Sequence, residues 1–319
     1  MMPSFKALTF ILSLATLCTT AFGQSANQSN SVNPGTLNYV EGQASIEGRP
    51  VTSSSVGRTT MQAGQVLATA NGRAEVLLTP GIFVRLGDNS TVQMVSPDLT
   101  HTEIKLEQGH ANVEVDQIHP QNTILIDLNN GQAQLLKNGL YTFDATNSTV
   151  RVFNGKANVY PETNMTNTRP VEVKGDHQLM LTSELLKPQR FNKGQAEDDQ
   201  LYKWSSLRSD YLGEANLTLA EDYAGYPGFY PGWYWAGYGY TWLPGDGLFW
   251  SPFGYGFYSP FYLYGGGAIY GRWGHGGYPY HGGYAVRGAA FHGTSAGGAA
   301  FHGSSVGGAA FHGGGGGHR

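Results

Sequence analysis

Gly64–Val92, GQVLATANGRAEVLLTPGIFVRLGDNSTV, decides the fold class of this chain. Short β-branched and aliphatic runs are punctuated by Gly72, Gly81 and Gly87, where the backbone must turn or take up positive φ. Arg73–Leu78, then Pro80-Gly81, then Ile82–Leu86 reads as a strand, a tight turn and a second strand. The same grammar continues to Leu181, so one all-β domain is expected over residues 36–186.

Outward from that stretch, alternation marks which face of each strand is buried. Ile104 and Leu106 alternate with Lys105 and Glu107, Val113 and Val115 with Glu114 and Asp116, and Val150 and Val152 flank Arg151. This is the period of two of a half-buried strand. Ile124–Leu128 is more continuously apolar and suits a central strand. Asn129-Asn130-Gly131, Asn138-Gly139 and Asn154-Gly155 each end a strand with an Asn-Gly step, a hairpin signal because both residues tolerate positive φ. Many short strands with turns about every ten residues fit an antiparallel β-sandwich or a short β-solenoid, and periodicity does not choose between them.

The block Gly64–Val92 resembles the FecR domain. The resemblance continues through Ile104–Gly109 with Ala111–Val115, Gly139–Asp144, Thr149–Val152 with Asn154–Val159, and Val171–Val173 with Gly175-Asp176. It implies a non-catalytic, extracytoplasmic β domain that binds a protein or another envelope component. The family's best-known members are inner-membrane regulators that sense an outer-membrane receptor and control a sigma factor through a cytoplasmic N-terminal tail. Only Met1–Lys6 precede the apolar run of this chain, too short a stretch for such a tail. An extracytoplasmic sensor coupling to a signalling partner is therefore the alternative, not the first expectation.

The N-terminus carries the expectation of export. Lys6, the apolar run Ala7–Leu17 and the small residues of Ala21-Phe22-Gly23 form a signal peptide over residues 1–23. The run is well short of the ~20 residues that span a bilayer, and no later segment is continuously apolar, so no stable transmembrane span is expected after cleavage. The destination is periplasm, the outer membrane or the medium. Cys18, the sole cysteine, leaves with that peptide, which removes disulfides, cysteine zinc sites and thiol nucleophiles together. A net charge of −4 over 319 residues gives no electrostatic case for nucleic acid.

Residues 24–35 (QSANQSNSVNPG) are polar and unpatterned, a disordered leader. Residues 194–223 read as a helix with Leu201, Trp204, Leu207 or Arg208, and Tyr211 on one face, a stripe expected to pack on the β domain. Residues 225–284 are a Gly/Tyr/Trp-rich tract in which about 23 of about 60 residues are aromatic. Trp233, Trp235, Tyr238, Tyr240, Trp242 and Trp250 are candidates for stacking on a partner or a glycan, as an adhesin would. Self-packing of short aromatic hairpins is the plainer reading. Residues 285–319 repeat Ala-Ala-Phe-His-Gly every ten residues, a flexible low-complexity tail. His292, His302 and His312 are weak metal candidates there, since their spacing on a glycine-rich chain preforms no geometry. No cofactor is expected.

No Ser-His-Asp grouping, G-x-S-x-G, H-E-x-x-H or phosphate-cradling loop occurs. Glu103, Glu107, Glu114 and Asp116 are the acids a glycosidase reading would use, but alternation places them on the solvated side of their strands. The expectation is an exported, non-catalytic FecR-domain module of the bacterial envelope, with an envelope protein or polysaccharide as partner.

Overall fold

A computed structural model describes residues 32–161, 169–182 and 186–265. The signal and leader segments up to residue 31, the end of the aromatic tract and the histidine repeat lie outside the described residues. Fifteen strands form one hydrogen-bonded sheet among the described residues. They are β1 (Thr36–Ile46), β2 (Arg49–Val51), β3 (Val66–Leu77), β4 (Ile82–Leu86), β5 (Thr91–Pro97), β6 (His101–Gln108), β7 (His110–Val115) and β8 (Thr123–Leu128). Then follow β9 (Gly131–Leu135), β10 (Gly139–Asp144), β11 (Thr149–Asn154), β12 (Lys156–Tyr160), β13 (Val171–Lys174), β14 (His177–Met180) and β15 (Gln189–Arg190).

The order along the sheet is β13-β12-β9-β8-β6-β5-β3-β4-β7-β10-β11-β14-β15, with β1 paired along β3 and β2 on β1. Strand β3 is shared. Its first half pairs with β5 and its second half with β4. The sheet therefore folds over along β1 and β3 into two layers, β5 to β13 and β4 to β15. The far sides meet where β13 touches β11 and β14. One apolar core, with Leu67, Val76, Val84, Ile104, Leu106, Val113, Ile124, Ile126, Phe143, Val150 and Val159 among its members, lies between the layers. This is the two-layer solution, a β-sandwich, with β6–β8 as a parallel pair.

The fold-over has a local cause. In β3, Leu67 and Thr69 point inward, but further on the inward set is Ala74 and Val76, so the phase of alternation flips between them. Gly42 faces Gly72 in the register, and a register shift follows immediately. A Cβ on Gly72 would lie 2.4 Å from the Gln43 nitrogen, so only glycine lets the two backbones approach there.

Asn130-Gly131 makes the expected hairpin, β8 to β9. Asn138-Gly139 and Asn154-Gly155 do not. Strands β9 and β10, and β11 and β12, lie in different layers, so these steps turn corners around the core. Their asparagines stitch one corner to the next. Asn138 accepts from the Ile118 N–H (3.0 Å) and donates to the Asp116 carbonyl (2.6 Å), while Asn154 accepts from the Leu140 N–H (2.7 Å). The Asn-Gly signal reports positive φ and a local side-chain acceptor, which a corner needs as much as a hairpin.

After the sheet come α1 (Lys193–Glu197) and α2 (Gln200–Asp222). Asp199 caps α2, accepting from the N–H groups of Leu201 and Tyr202 (2.9 and 3.0 Å). The aromatic tract then folds as two hairpins, β16 (Gly232–Trp235) with β17 (Tyr240–Leu243) and β18 (Leu248–Trp250) with β19 (Gly256–Tyr258), before α3 (Pro260–Tyr264). Helix α2 lies between the outer faces of β4 and β7 and the strands β17 and β19. A second core forms there from Leu77, Phe83, Leu212, Tyr240, Trp242 and Phe257. No helix among the described residues is long and apolar enough to cross a membrane.

Gly109 turns the chain from β6 to β7 with φ of 77°, and a Cβ there would sit 2.3 Å from Ser90 Oγ. Gly64 has φ of 85° and open space around it. Gly64→Ala should cost about 1–2 kcal/mol, the strain of a left-handed residue. Gly109→Ala should cost clearly more, because strain and clash add. Denaturant unfolding of both variants checks this, and equal costs would mean that the corner is looser than described.

Candidate functional site

Strand β7 is buried on both faces, and this corrects the sequence reading of its acids. Glu114 and Asp116 are 0 % and 1 % exposed; α2 packs on the face of β7 that alternation assigned to solvent, and its Ser209 reaches Glu114. The alternation is that of a strand with one face on the core, and a helix from much later in the chain packs on its other face. Glu103 and Glu107 do stay near the surface, Glu103 beside His101 (3.2 Å) and Glu107 beside Lys105 (3.7 Å).

Beneath α2 the outward side chains of three strands form a closed charge cluster. Arg85 on β4 donates from Nε to Glu75 Oε2 on β3 (2.7 Å) and from a terminal nitrogen to Glu114 Oε2 on β7. Arg208 of α2 donates to Glu75 Oε1 (2.8 Å) and lies 4.1 Å above the Tyr39 ring. Ser209 donates to Glu114 Oε1 (2.6 Å), and Asn38 donates to Glu75 Oε1 (2.8 Å). Asn38 also joins the cluster to the aromatic hairpin, donating to the Tyr240 carbonyl (2.9 Å) and accepting from the Tyr240 N–H (2.6 Å).

Two guanidiniums thus face two carboxylates with no solvent between. Burial pushes the Glu75 carboxyl up, but Arg208 and Arg85 outweigh it and hold the group at about 2. Arg85 loses by burial and gains more from Glu114 and Glu75, so it keeps its proton more firmly than usual. Asp116 goes the other way. Burial first, then the Glu114 carboxylate, pushes it well above the ordinary carboxylate value.

The buried stripe of α2 is Leu201, Trp204, Ser205, Arg208, Ser209, Leu212, Gly213, Asn216 and Ala220. Leu207 and Tyr211 are exposed, so Arg208 and not Leu207 continues the inward face. Its polar members are matched except at Arg208 Nε, a buried donor without a hydrogen-bond partner. Ser205 Oγ accepts from Asn112 Nδ2 (3.0 Å), and Asn216 donates to the carbonyls of Trp242 (2.8 Å) and Tyr258 (3.1 Å). Trp204 Nε1 donates to Glu41 (2.9 Å).

The candidate stacking aromatics divide. Tyr240 and Trp242 are buried in the second core, Trp233 is half-buried with its ring edge-on to Phe83 at 5.1 Å, and Trp235, Tyr238 and Trp250 are exposed. Tyr238 donates its hydroxyl to the Tyr211 carbonyl (3.0 Å), so that exposed ring is fixed on α2. The three exposed rings are not gathered by any ring contact among them. His292, His302 and His312 lie outside the described residues, and among those described no group of three or more His, Cys, Asp or Glu is placed to hold a metal.

An open cleft of about 740 Å³ lies where β10, β11 and β14 run out from under α2, lined by His110, Asp144, Arg151, Gln178, Arg190 and Asp199 among others. No residue of it was singled out in the sequence for binding.

Glu75→Gln should destabilise the chain by about 3 kcal/mol near neutral pH, because it leaves two buried guanidiniums short of a charge. The folded carboxyl titrates below its ordinary 4.5, so its contribution is present above that value and is lost as pH falls toward 2. The gap between parent and variant should accordingly close between about pH 4.5 and 2. Unfolding curves across that range check it, and a constant gap would remove the charge from the explanation.

Among known proteins, no curated protein matches the chain. Two crystal structures of a candidate anti-sigma factor from Parabacteroides distasonis ATCC 8503 are similar to part of it, each at 13% identity and a TM-score of 0.33. They cover 45% and 44% of this chain, which spans 64% and 63% of theirs, under two thirds. The family described as FecR protein matches residues 65–174, from the start of β3 to the end of β13. Residues 65–174 therefore match the FecR domain, and the matched segment contributes strands to both layers of the sandwich.

Proposed function

We propose that the chain is an exported, non-catalytic FecR-domain module of the bacterial cell envelope that acts by binding a protein partner in a regulatory role of the FecR type. The FecR match over residues 65–174 is the observation that carries this reading. The use of the buried charges supports the non-catalytic part. Glu75, Arg85, Glu114 and Arg208 bind one another and the backbone-fixing Asn38 and Ser209, beneath a helix, where no substrate reaches them. Lys6, the apolar Ala7–Leu17 and Ala21-Phe22-Gly23 support export.

A second reading, adhesion to envelope glycan, draws on Trp235, Tyr238 and Trp250, which expose 46–57% of their surface. Protein binding is preferred, because those rings make no common platform.

Photo-crosslinking from surface positions of the intact chain in its native cell tests the proposal. A product starting at Gln24 outside the cytoplasm, crosslinked to one envelope signalling protein, with a defined set of transcripts altered on deletion, is the expected result. An uncleaved cytoplasmic product, or crosslinks to polysaccharide alone with transcripts unchanged, would overturn it.

A further inference from the structure

The cleft beside α1 and the start of α2 is lined by two arginines, Arg151 and Arg190, that make no ion pair within 4 Å among the described residues. A cross-strand row runs Asn112, Thr142, Arg151, Gln178 over β7, β10, β11 and β14. Its first member is tied beneath α2 through Ser205, Asn112 in turn accepts from Thr142 (2.8 Å), and the row then emerges into the cleft at Arg151. Arg151 is set in place on two sides. Its Nε donates to Gln178 Oε1 (3.0 Å), and its guanidinium lies 5.0 Å over the Phe191 ring. That leaves the terminal nitrogens of a half-buried, oriented fork without a hydrogen-bond partner among the described residues. Arg190, on the exposed edge strand β15, lines the same cleft and makes no ion pair among those residues.

The acids of the cleft, by contrast, are already committed. Asp144 accepts from the Thr146 and Asn147 N–H groups (2.8 and 3.1 Å) and from Asn147 Nδ2 (2.8 Å). Asp199 caps α2, and Asp198 accepts from Lys203 (3.1 Å). Their charges remain, so a dianion entering the cleft meets three carboxylates as well as the arginines. A single planar carboxylate matches the Arg151 fork and carries the least repulsion, and a nearby amine of the same ligand finds the aspartates. The volume, about 740 Å³, is in the range of small-ligand pockets and leaves room for the end or one side chain of a peptide.

We propose that this cleft binds a peptide carboxylate, with Arg151 as the anchoring residue and Arg190 as the second cation. The inference deepens the protein-binding reading above and rests on it. The carboxylate comes from a chain terminus or from an Asp or Glu side chain of the partner, and both share this chemistry.

The test uses the isotope-labelled mature chain, residues 24–319, and follows the Arg151 Nε–H resonance and the backbone signals of Gln178 and Asn192. Three probes are added: a random tetrapeptide pool without Asp or Glu but with free C-termini, an amidated pool rich in Asp and Glu, and inorganic phosphate. A saturable shift with either peptide pool, larger than with phosphate, supports the proposal and tells which source supplies the carboxylate. No shift with either pool, or phosphate acting as strongly, overturns it. Arg151→Gln should weaken peptide binding at least about tenfold, and Arg151→Lys nearly as much because an ammonium has no fork. Arg190→Gln, on an exposed edge, should weaken it several-fold with the unfolding midpoint unchanged. Binding unaltered in all three variants would overturn the assignment. If crosslinks to the cellular partner persist in Arg151→Gln while the peptide shifts vanish, the cleft is not the partner site and the wider reading survives. If the parent gives no crosslinks, the wider reading itself fails.

Discussion

The arrangement of this protein depends on a charge cluster sealed between a β-sheet and a helix. Once Glu75, Arg85 and Glu114 point outward from adjacent strands, that face of the sandwich cannot simply be covered by apolar side chains, since unpaired buried charge costs several kcal/mol. Nor is it left in water, for all three are 0 % exposed. The cover has to bring its own counter-charge and hydrogen bonds in register. Helix α2 does so with Arg208 and Ser209 one residue apart, reaching Glu75 and Glu114 respectively. Sliding the helix by one turn would strand both.

This explains why the inward face of α2 is so polar for a helix that buries most of its stripe. Apolar packing alone would hold it loosely as to position. Asn112–Ser205, Asn216 to Trp242 and Tyr258, and the cluster itself fix its height and its rotation. The aromatic hairpins follow from that placement. Thr241 donates to the Leu212 carbonyl (2.6 Å), and the Trp242 ring lies against Phe249 and Phe257 at 5.0 and 5.9 Å. Asn38 on β1 completes the link back to the sheet. The outer face of the sheet and the segments after it close the second core together, so the β domain cut off at Leu186 would expose its own ion pairs.

The strands were legible in the sequence because each carries its own period of two, and the glycines marked where they end. The choice between sandwich and solenoid was not legible, since it turns on which strands share a layer. Asn138 and Asn154 look like hairpin residues in sequence and serve as corner ties in space. The acids of β7 misled for a related reason. Alternation says that Glu114 faces away from the core, but not that a helix more than eighty residues later lies on that side. A signal did exist: Arg85 and Glu75 alternate outward in neighbouring strands of opposite charge, and Arg208 sits in the stripe where Leu207 was the apolar alternative. The cleft left less trace, because Arg151, Gln178 and Arg190 come together only through strand pairing.

Amide hydrogen exchange on the intact chain tests the central claim most directly. If the charge cluster makes sheet and helix one unit, the amides of α2 and β17 should open with the same free energy as those of β3, β4 and β7, and Arg208→Met should lower all of them together. An α2 that exchanges freely while the sheet stays protected would contradict the account, because the helix would then be an appendage and the cluster would not be what holds it.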